Sequence, residues 1–171
     1  SGDPMVFGRA GEEITRLEAE GIAVDIVPGI TSASAMASRL GISLTHRDHA
    51  QSLRLVTGHS RHGELPVDVD WHAMANPRET TIIYMGGRTA GKIRAALQSA
   101  GASMQTPVAV MTSIGRPEEQ RWHGRLHDLE AGIASVGLDQ PLLIGIGAVF
   151  AKALSGADHG AVFSEALPRR A

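Results

Sequence analysis

The chain has no cysteine among its 171 residues. Disulfide frameworks, thiolate zinc sites and cysteine nucleophiles are therefore excluded. Aromatic residues are scarce. Phe7, Trp71, Tyr84, Trp122, Phe150 and Phe163 are the whole set, too few and too scattered for a base-stacking platform. Lys92 and Lys152 are the only lysines among the 16 Lys and Arg residues. Genomic base composition explains such an overall excess of arginine, so only arginines in special places carry information. Their planar fork pairs bidentately with carboxylates and phosphates. The net charge of −2 and a pI near 6.4 do not indicate general nucleic-acid affinity. No apolar run approaches the ~20 residues of a membrane span. No basic segment precedes an apolar signal core either, so the expected compartment is the cytoplasm, with neither membrane nor nucleic acid as partner.

What is present is apolar enough to build a core. Apolar residues make up 43% of the chain, too many for a disordered segment and sufficient for one ordinary domain or two very small ones. Periodicity and punctuation predict helices over Glu12–Glu20, closed by Gly21, and Thr31–Leu40, capped by Thr31 or Ser32 and stopped by Gly41. Further helices are predicted around Trp71–Ala75, over Arg88–Ala100 and over Leu126–Val136. Strands are predicted over Ile22–Val27, Ser52–Thr57, Thr80–Tyr84, Val108–Met111, Arg121–Gly124 and Leu142–Ile146. Strands alternating with helices argue for an α/β protein with largely parallel sheets. Composition shifts near 42–51. This suggests a division into residues 1–45, 46–154 and a polar tail over 155–171, with no internal repeat.

Four segments are candidates for chemistry. The glycine-rich turn before the first helix lets backbone groups approach a ligand, and equally suits a purely structural turn. It lacks the Gly-Lys-Ser/Thr of a Walker loop and the spacing of a GxGxxG fingerprint. Pro28-Gly29-Ile30-Thr31-Ser32 joins a strand to a helix, where a ligand or a plain N-cap would use the same hydroxyls. Arg47, in Thr45-His46-Arg47-Asp48, suits an acidic substrate or an ion pair with Asp48. Met85, in Tyr84-Met85-Gly86-Gly87, suits a ring system or the core. The pairs His46/His49, His59/His62 and His123/His127 lack metal-binding patterns, so no metal is expected. No Gly-x-Ser-x-Gly elbow is present either.

Taken in order, these segments resemble the tetrapyrrole methylases. The likeness runs over residues 1–154 and is carried by GDPMVFGRAGEE (Gly2–Glu13), VPGITSASA (Val27–Ala35), GISLTHRDHAQSLRLVTGH (Gly41–His59), IIYMGG (Ile82–Gly87), PVAVMTSIGRPEEQR (Pro107–Arg121) and PLLIGIGAV (Pro141–Val149). The closest branch is that of the uroporphyrinogen-III C-methyltransferases, including the methylase half of siroheme synthases. The resemblance implies two α/β lobes and a homodimer. It implies transfer of two methyl groups from S-adenosylmethionine to C2 and C7 of uroporphyrinogen III, giving precorrin-2 and leaving S-adenosylhomocysteine. Another precorrin methyltransferase, or a fragment that only dimerises or binds ligand, is the alternative.

By the same resemblance Ser1, Gly2, Asp3, Val6, Thr31, Ser32, Met85 and Ile114 contact the methyl donor. Arg9 faces the tetrapyrrole as the catalytic candidate, and Glu12, Arg47 and Met85 are on the substrate side. Arginine is a poor base at its ordinary pKa, which favours a carboxylate or transition-state contact for Arg9. Departures from the family pattern are Ser1 and Ala10 for glycines, Met5-Val6 for Phe-Ile and Thr112-Ser113 for Glu-Asn, with an extra residue near Glu118-Glu119. Much of the family's N-terminal lobe, with its acidic and lysine candidates, has no counterpart in the chain, so an incomplete first lobe is expected.

Overall fold

The computed structural model describes residues 2–59, 64–66 and 68–155, the last two without their side chains. Five strands form one sheet: β1 (Ser52–Thr57), β2 (Glu79–Tyr84), β3 (Pro107–Thr112), β4 (Gln120–Arg125) and β5 (Leu142–Ile146). Their spatial order is β1-β2-β5-β3-β4. The helices are α1 (Ala10–Ala19), α2 (Ser32–Leu40), α3 (Trp71–Met74), α4 (Ala90–Ser99), α5 (Leu129–Val136) and α6 (Ala151–Ser155).

The α/β class stands, but the sheet is not largely parallel. β1 and β2 pair in parallel, whereas β2–β5, β5–β3 and β3–β4 are antiparallel. The reason lies in how the connections interleave. The short link over residues 113–119 forces β4 to run back along β3, because a link of that length holds no crossover helix. The crossovers through α4 and α5 do return their strands in the same direction. Each of these strand pairs, however, has another strand inserted between its members.

Alternating side chains serve two cores. Ile83, Val110, Trp122 and Ile144 pack with Ile93 and Leu97 of α4 and Leu129 and Ile133 of α5. Ile82, Tyr84, Met111 and Leu143 pack on the opposite face with Ala33 and Met36 of α2 and with Phe150. Both faces are thus covered, and every residue of β2 is buried. Gly145 leaves room for the Phe150 ring, which a Cβ there would meet at 2.2 Å.

A second correction concerns Ile22–Val27, which forms no strand. Among the described residues this segment has no ladder partner, and Ile22, Ile26 and Val27 are 47%, 47% and 81% exposed. β-branched side chains fit a half-buried pleated surface, and without a neighbour that preference has nothing to act on. α1 begins at Ala10 rather than Glu12, and none of its residues is buried. Gly21 and Gly41 do close their helices with φ of 75° and 62°. The expected tail lies outside the described residues from position 156 onward.

Candidate functional site

The carboxyl ends of β2 and β3 flank the amino end of β5, as the pairings of Tyr84 and Met111 with Leu143 require. Ligands of α/β sheets collect at such strand ends. A cavity of about 430 Å³ opens there, lined by Ser32, Tyr84, Met85, Ser113, Ile114 and Leu143, among others. Its volume is within the usual range for small-molecule sites.

The N-terminal turn is fastened beside this cavity by Asp3. Its Oδ2 accepts from the Gly29 amide at 3.0 Å, and its Oδ1 accepts from the Met5 amide at 2.8 Å. The contact demands glycine at position 29, where a Cβ would lie 2.1 Å from the Gly2 carbonyl oxygen. On the other side of the turn, the Phe7 ring centroid is 4.6 Å from that of Tyr84.

Tyr84 organises the junction. Its hydroxyl shares a hydrogen bond with Thr31 Oγ1 at 2.5 Å and accepts from the Ala33 amide at 3.1 Å. Thr31 occupies the N-cap position of α2, yet its side chain makes no capping bond. The Tyr84 oxygen supplies an acceptor for the free amide at the helix start instead, a distant residue doing what a cap ordinarily does.

Backbone strain accompanies the cavity. Phe7, Arg9, Met85 and Ser113 have φ of 55°, 62°, 58° and 48°, and two of them, Met85 and Ser113, line it. Non-glycine residues in this region cost about 1–3 kcal/mol each and collect at ligand clamps.

A buried carboxylate braces the turn after β3. Glu119, 3% exposed, accepts from Arg39 Nε at 3.0 and 2.9 Å and from the Gly115 amide at 2.7 Å. It also accepts from Arg121 Nε at 2.9 Å and Nη2 at 2.7 Å. Burial pushes this carboxyl up, but the Gly115 amide and the Arg121 and Arg39 guanidiniums outweigh it and hold the pKa below the ordinary value. Nearby on β4, His123 is buried with no partner for Nδ1. Burial, then the Arg121 charge, pulls its pKa down.

The structure thus brings Ser32, Met85 and Ile114 into one cavity wall. Gly2 and Thr31 adjoin it through Ser32 and Tyr84, Asp3 holds the turn, and Val6 packs on the core that includes Tyr84. Ser1 lies outside the described residues. Arg9 and Glu12 form an exposed ion pair at 2.6 Å, outside that wall. The Glu12 hydrogen bond and then its charge raise the Arg9 pKa. Arg47 lines a separate cavity of about 390 Å³ with Thr45, His46, Ala50 and Gln51. No ion pair joins it to Asp48 among the described residues, and Asp48 is 3.9 Å from His46 Nδ1 instead. Among the described residues no group of three or more His, Asp or Glu is arranged to hold a metal ion, and His62 is not among them. Likewise, no helix among them is long and apolar enough to cross a membrane.

Sequence reasoning missed the Tyr84 hydroxyl, the Glu119 brace and the wall supplied by Leu138 and residues 140–143. Only Tyr84 left a trace, as a lone tyrosine ending a strand beside Met85-Gly86.

Comparison with known proteins gives concordant matches. The family model described as Tetrapyrrole (Corrin/Porphyrin) Methylases matches residues 1–130. The chain is 44% identical over 148 residues to a siroheme synthase of Chromobacterium violaceum, covering 86% of this chain and 31% of that protein. A siroheme synthase of Psychrobacter sp. is 45% identical over 148 residues, with 86% and 30% covered. The chain therefore spans under a third of these relatives. Among solved structures, uroporphyrin-III C-methyltransferase from Thermus thermophilus, complexed with S-adenyl homocysteine, aligns with TM-score 0.72 at 35% identity. That alignment covers 88% of this chain and 64% of that one. A cobalt precorrin-4 methyltransferase aligns with TM-score 0.79 at 27% identity, covering 87% and 62%.

Proposed function

The chain belongs to the tetrapyrrole methylases, and from that premise we propose that it forms part of an S-adenosylmethionine-dependent uroporphyrinogen-III C-methyltransferase. The reaction is methylation at C2 and C7 to precorrin-2. One observation carries this reading: Ser32, Met85 and Ile114, from three separated segments, line a single cavity at the strand ends. A cytoplasmic homodimer, with lobes dividing near residue 45, belongs to the same proposal.

The cavity suits the methyl donor chemically. Ser32, Tyr84, Ser113 and Gln140 offer neutral polar groups beside Met85, Ile114 and Leu143, and the lining also includes Arg88 and Arg116. When bound, the donor supplies an electrophilic methyl group on a sulfonium. The residues of the chain orient and enclose. Asp3 holds the Gly2 turn, Thr31 and Tyr84 fix the start of α2, and Met85 offers a polarizable side chain to a ring. Positioning of this kind supplies much of the rate of a displacement.

Arg9 is assigned a carboxylate or transition-state contact. Its raised pKa keeps it charged, so it does not accept the proton that the acceptor carbon releases. Glu12 holds its guanidinium in the meantime, and Arg47 offers a second cation for a polycarboxylate acceptor.

The greater fold similarity to a cobalt precorrin-4 methyltransferase keeps a later corrin precursor as the second reading. The higher identity to uroporphyrin-III C-methyltransferase favours the first. Labelled methyl transfer from S-adenosylmethionine to uroporphyrinogen III decides the matter. Label in precorrin-2 supports the proposal. Donor binding without transfer supports a binding-only fragment, and absence of donor binding refutes the methylase reading of the cavity.

A further inference from the structure

Two arginines line the same cavity and have no part in the roles above. Arg88 comes from the turn after β2 and Arg116 from the turn after β3. Each follows a strained residue, Met85 with φ 58° and Ser113 with φ 48°. These strained positions redirect the chain as it leaves each strand, carrying the two arginines onto the cavity wall.

Both arginines are exposed, and among the described residues neither side chain has a hydrogen bond or ion pair. Their situation differs from that of other arginines in the chain. Arg9, Arg39, Arg54, Arg94 and Arg121 are each held by a glutamate. Among the described residues, the other residues lining the cavity are all neutral. Two uncompensated guanidiniums on a concave surface raise the local positive potential. Their planar forks match a carboxylate, and they repel a sulfonium.

Resting on the assignment of this cavity to S-adenosylmethionine, we propose that Arg88 and Arg116 form a carboxylate subsite at its rim. The carboxylate comes either from the amino-acid tail of the donor or from a side chain of the tetrapyrrole acceptor. Ser113 and Gln140, whose side-chain oxygens are 3.4 Å apart, supply neutral polar company.

Three probes separate the sources: S-adenosylhomocysteine, 5′-methylthioadenosine, which keeps the adenosine and thioether but has no carboxylate, and uroporphyrin III. Binding of each is measured by calorimetry for the 171-residue chain and for Arg88→Gln, Arg116→Gln and the double variant. The double variant is expected to weaken one carboxylate-bearing ligand about tenfold or more, the usual scale for a hydrogen bond to a charged group. It should leave 5′-methylthioadenosine within twofold. Weakened S-adenosylhomocysteine identifies the donor tail, and weakened uroporphyrin III alone identifies the acceptor. The corresponding lysine variants should retain part of the affinity, and raised salt should narrow the difference between wild type and double variant. Unchanged binding of both carboxylate-bearing ligands overturns the subsite while leaving the donor cavity intact. So does equal weakening of 5′-methylthioadenosine, which would mark a structural rather than an electrostatic role. Failure of the wild-type chain to bind either adenosine compound overturns the donor cavity and the subsite with it.

Discussion

Replacing Tyr84 by phenylalanine removes one oxygen from the junction of sheet, helix and cavity. The ring stays, so no side-chain-sized cavity opens and the hydrophobic contribution is retained. The loss is polar. Ala33 is 1% exposed, and its amide donates to the Tyr84 oxygen at 3.1 Å. Without that oxygen a buried N–H has no acceptor, which costs about 1–3 kcal/mol. The Thr31 hydroxyl, 2.5 Å from the same oxygen, is only half-buried and can turn to water, so its share is smaller. The expected destabilisation is about 2 kcal/mol, the middle of that range. Thr31→Val should cost about 1 kcal/mol, since it removes only the shared bond. Because both single variants lose that bond, the double variant should cost less than their sum by about 0.5–1 kcal/mol. Urea unfolding followed by tryptophan fluorescence measures all three, with an unchanged m-value as the control for compactness. A Tyr84→Phe midpoint indistinguishable from wild type would refute the assignment of Tyr84 as the acceptor for the start of α2. Strictly additive variants would refute the Thr31 link.

Gly29→Ala places a methyl group 2.1 Å from the Gly2 carbonyl oxygen, a backbone atom that no rotamer change can move. The N-terminal turn should lift away, and S-adenosylhomocysteine affinity should fall about tenfold, the scale of one lost hydrogen bond to a charged group. The melting temperature should move little, because the two turns add no fully buried residue to either core and Val6 packs on one only in part; unchanged affinity in calorimetry would count against the docked turn. Acid should weaken the fold in two stages. The pKa of His123 lies below its ordinary 6.5, so the unfolded chain takes up that proton first and stability declines as pH falls below about 6.5. The Glu119 carboxyl lies below its ordinary 4.5, so its contribution is complete above about 4.5 and is lost on further acidification. His123→Leu should abolish the first stage and preserve the second in urea midpoints taken across pH; persistence of the first would place the proton elsewhere. Arg47→Ala should weaken uroporphyrin III more than S-adenosylhomocysteine, since Arg47 lines its own cavity, and equal weakening would argue against its substrate-side role.

The sequence by itself determined the elements whose two faces are both spoken for. The β-branched run Thr80–Ile83 is buried on either side, and the four-residue spacing of Ile93 and Leu97 sets the inner face of α4. It also determined the family, through ordered segments, three of which bring Ser32, Met85 and Ile114 together at the strand ends. Periodicity reports which side of an element is apolar, but not what covers it. For that reason Ile22–Val27 has a strand's composition and no strand's pairing, and crossovers that return strands in one direction produced mostly antiparallel neighbours. Only tertiary structure decided that the Tyr84 oxygen serves the start of α2, that Glu119 gathers Arg39, Arg121 and the Gly115 amide, and that Arg88 and Arg116 share a cavity without a counter-charge. Tyr84 and Ala33 are 51 positions apart, and Arg39 and Glu119 are 80. Hydrogen bonds and charges act over a few ångströms of space, and chain spacing does not encode that proximity.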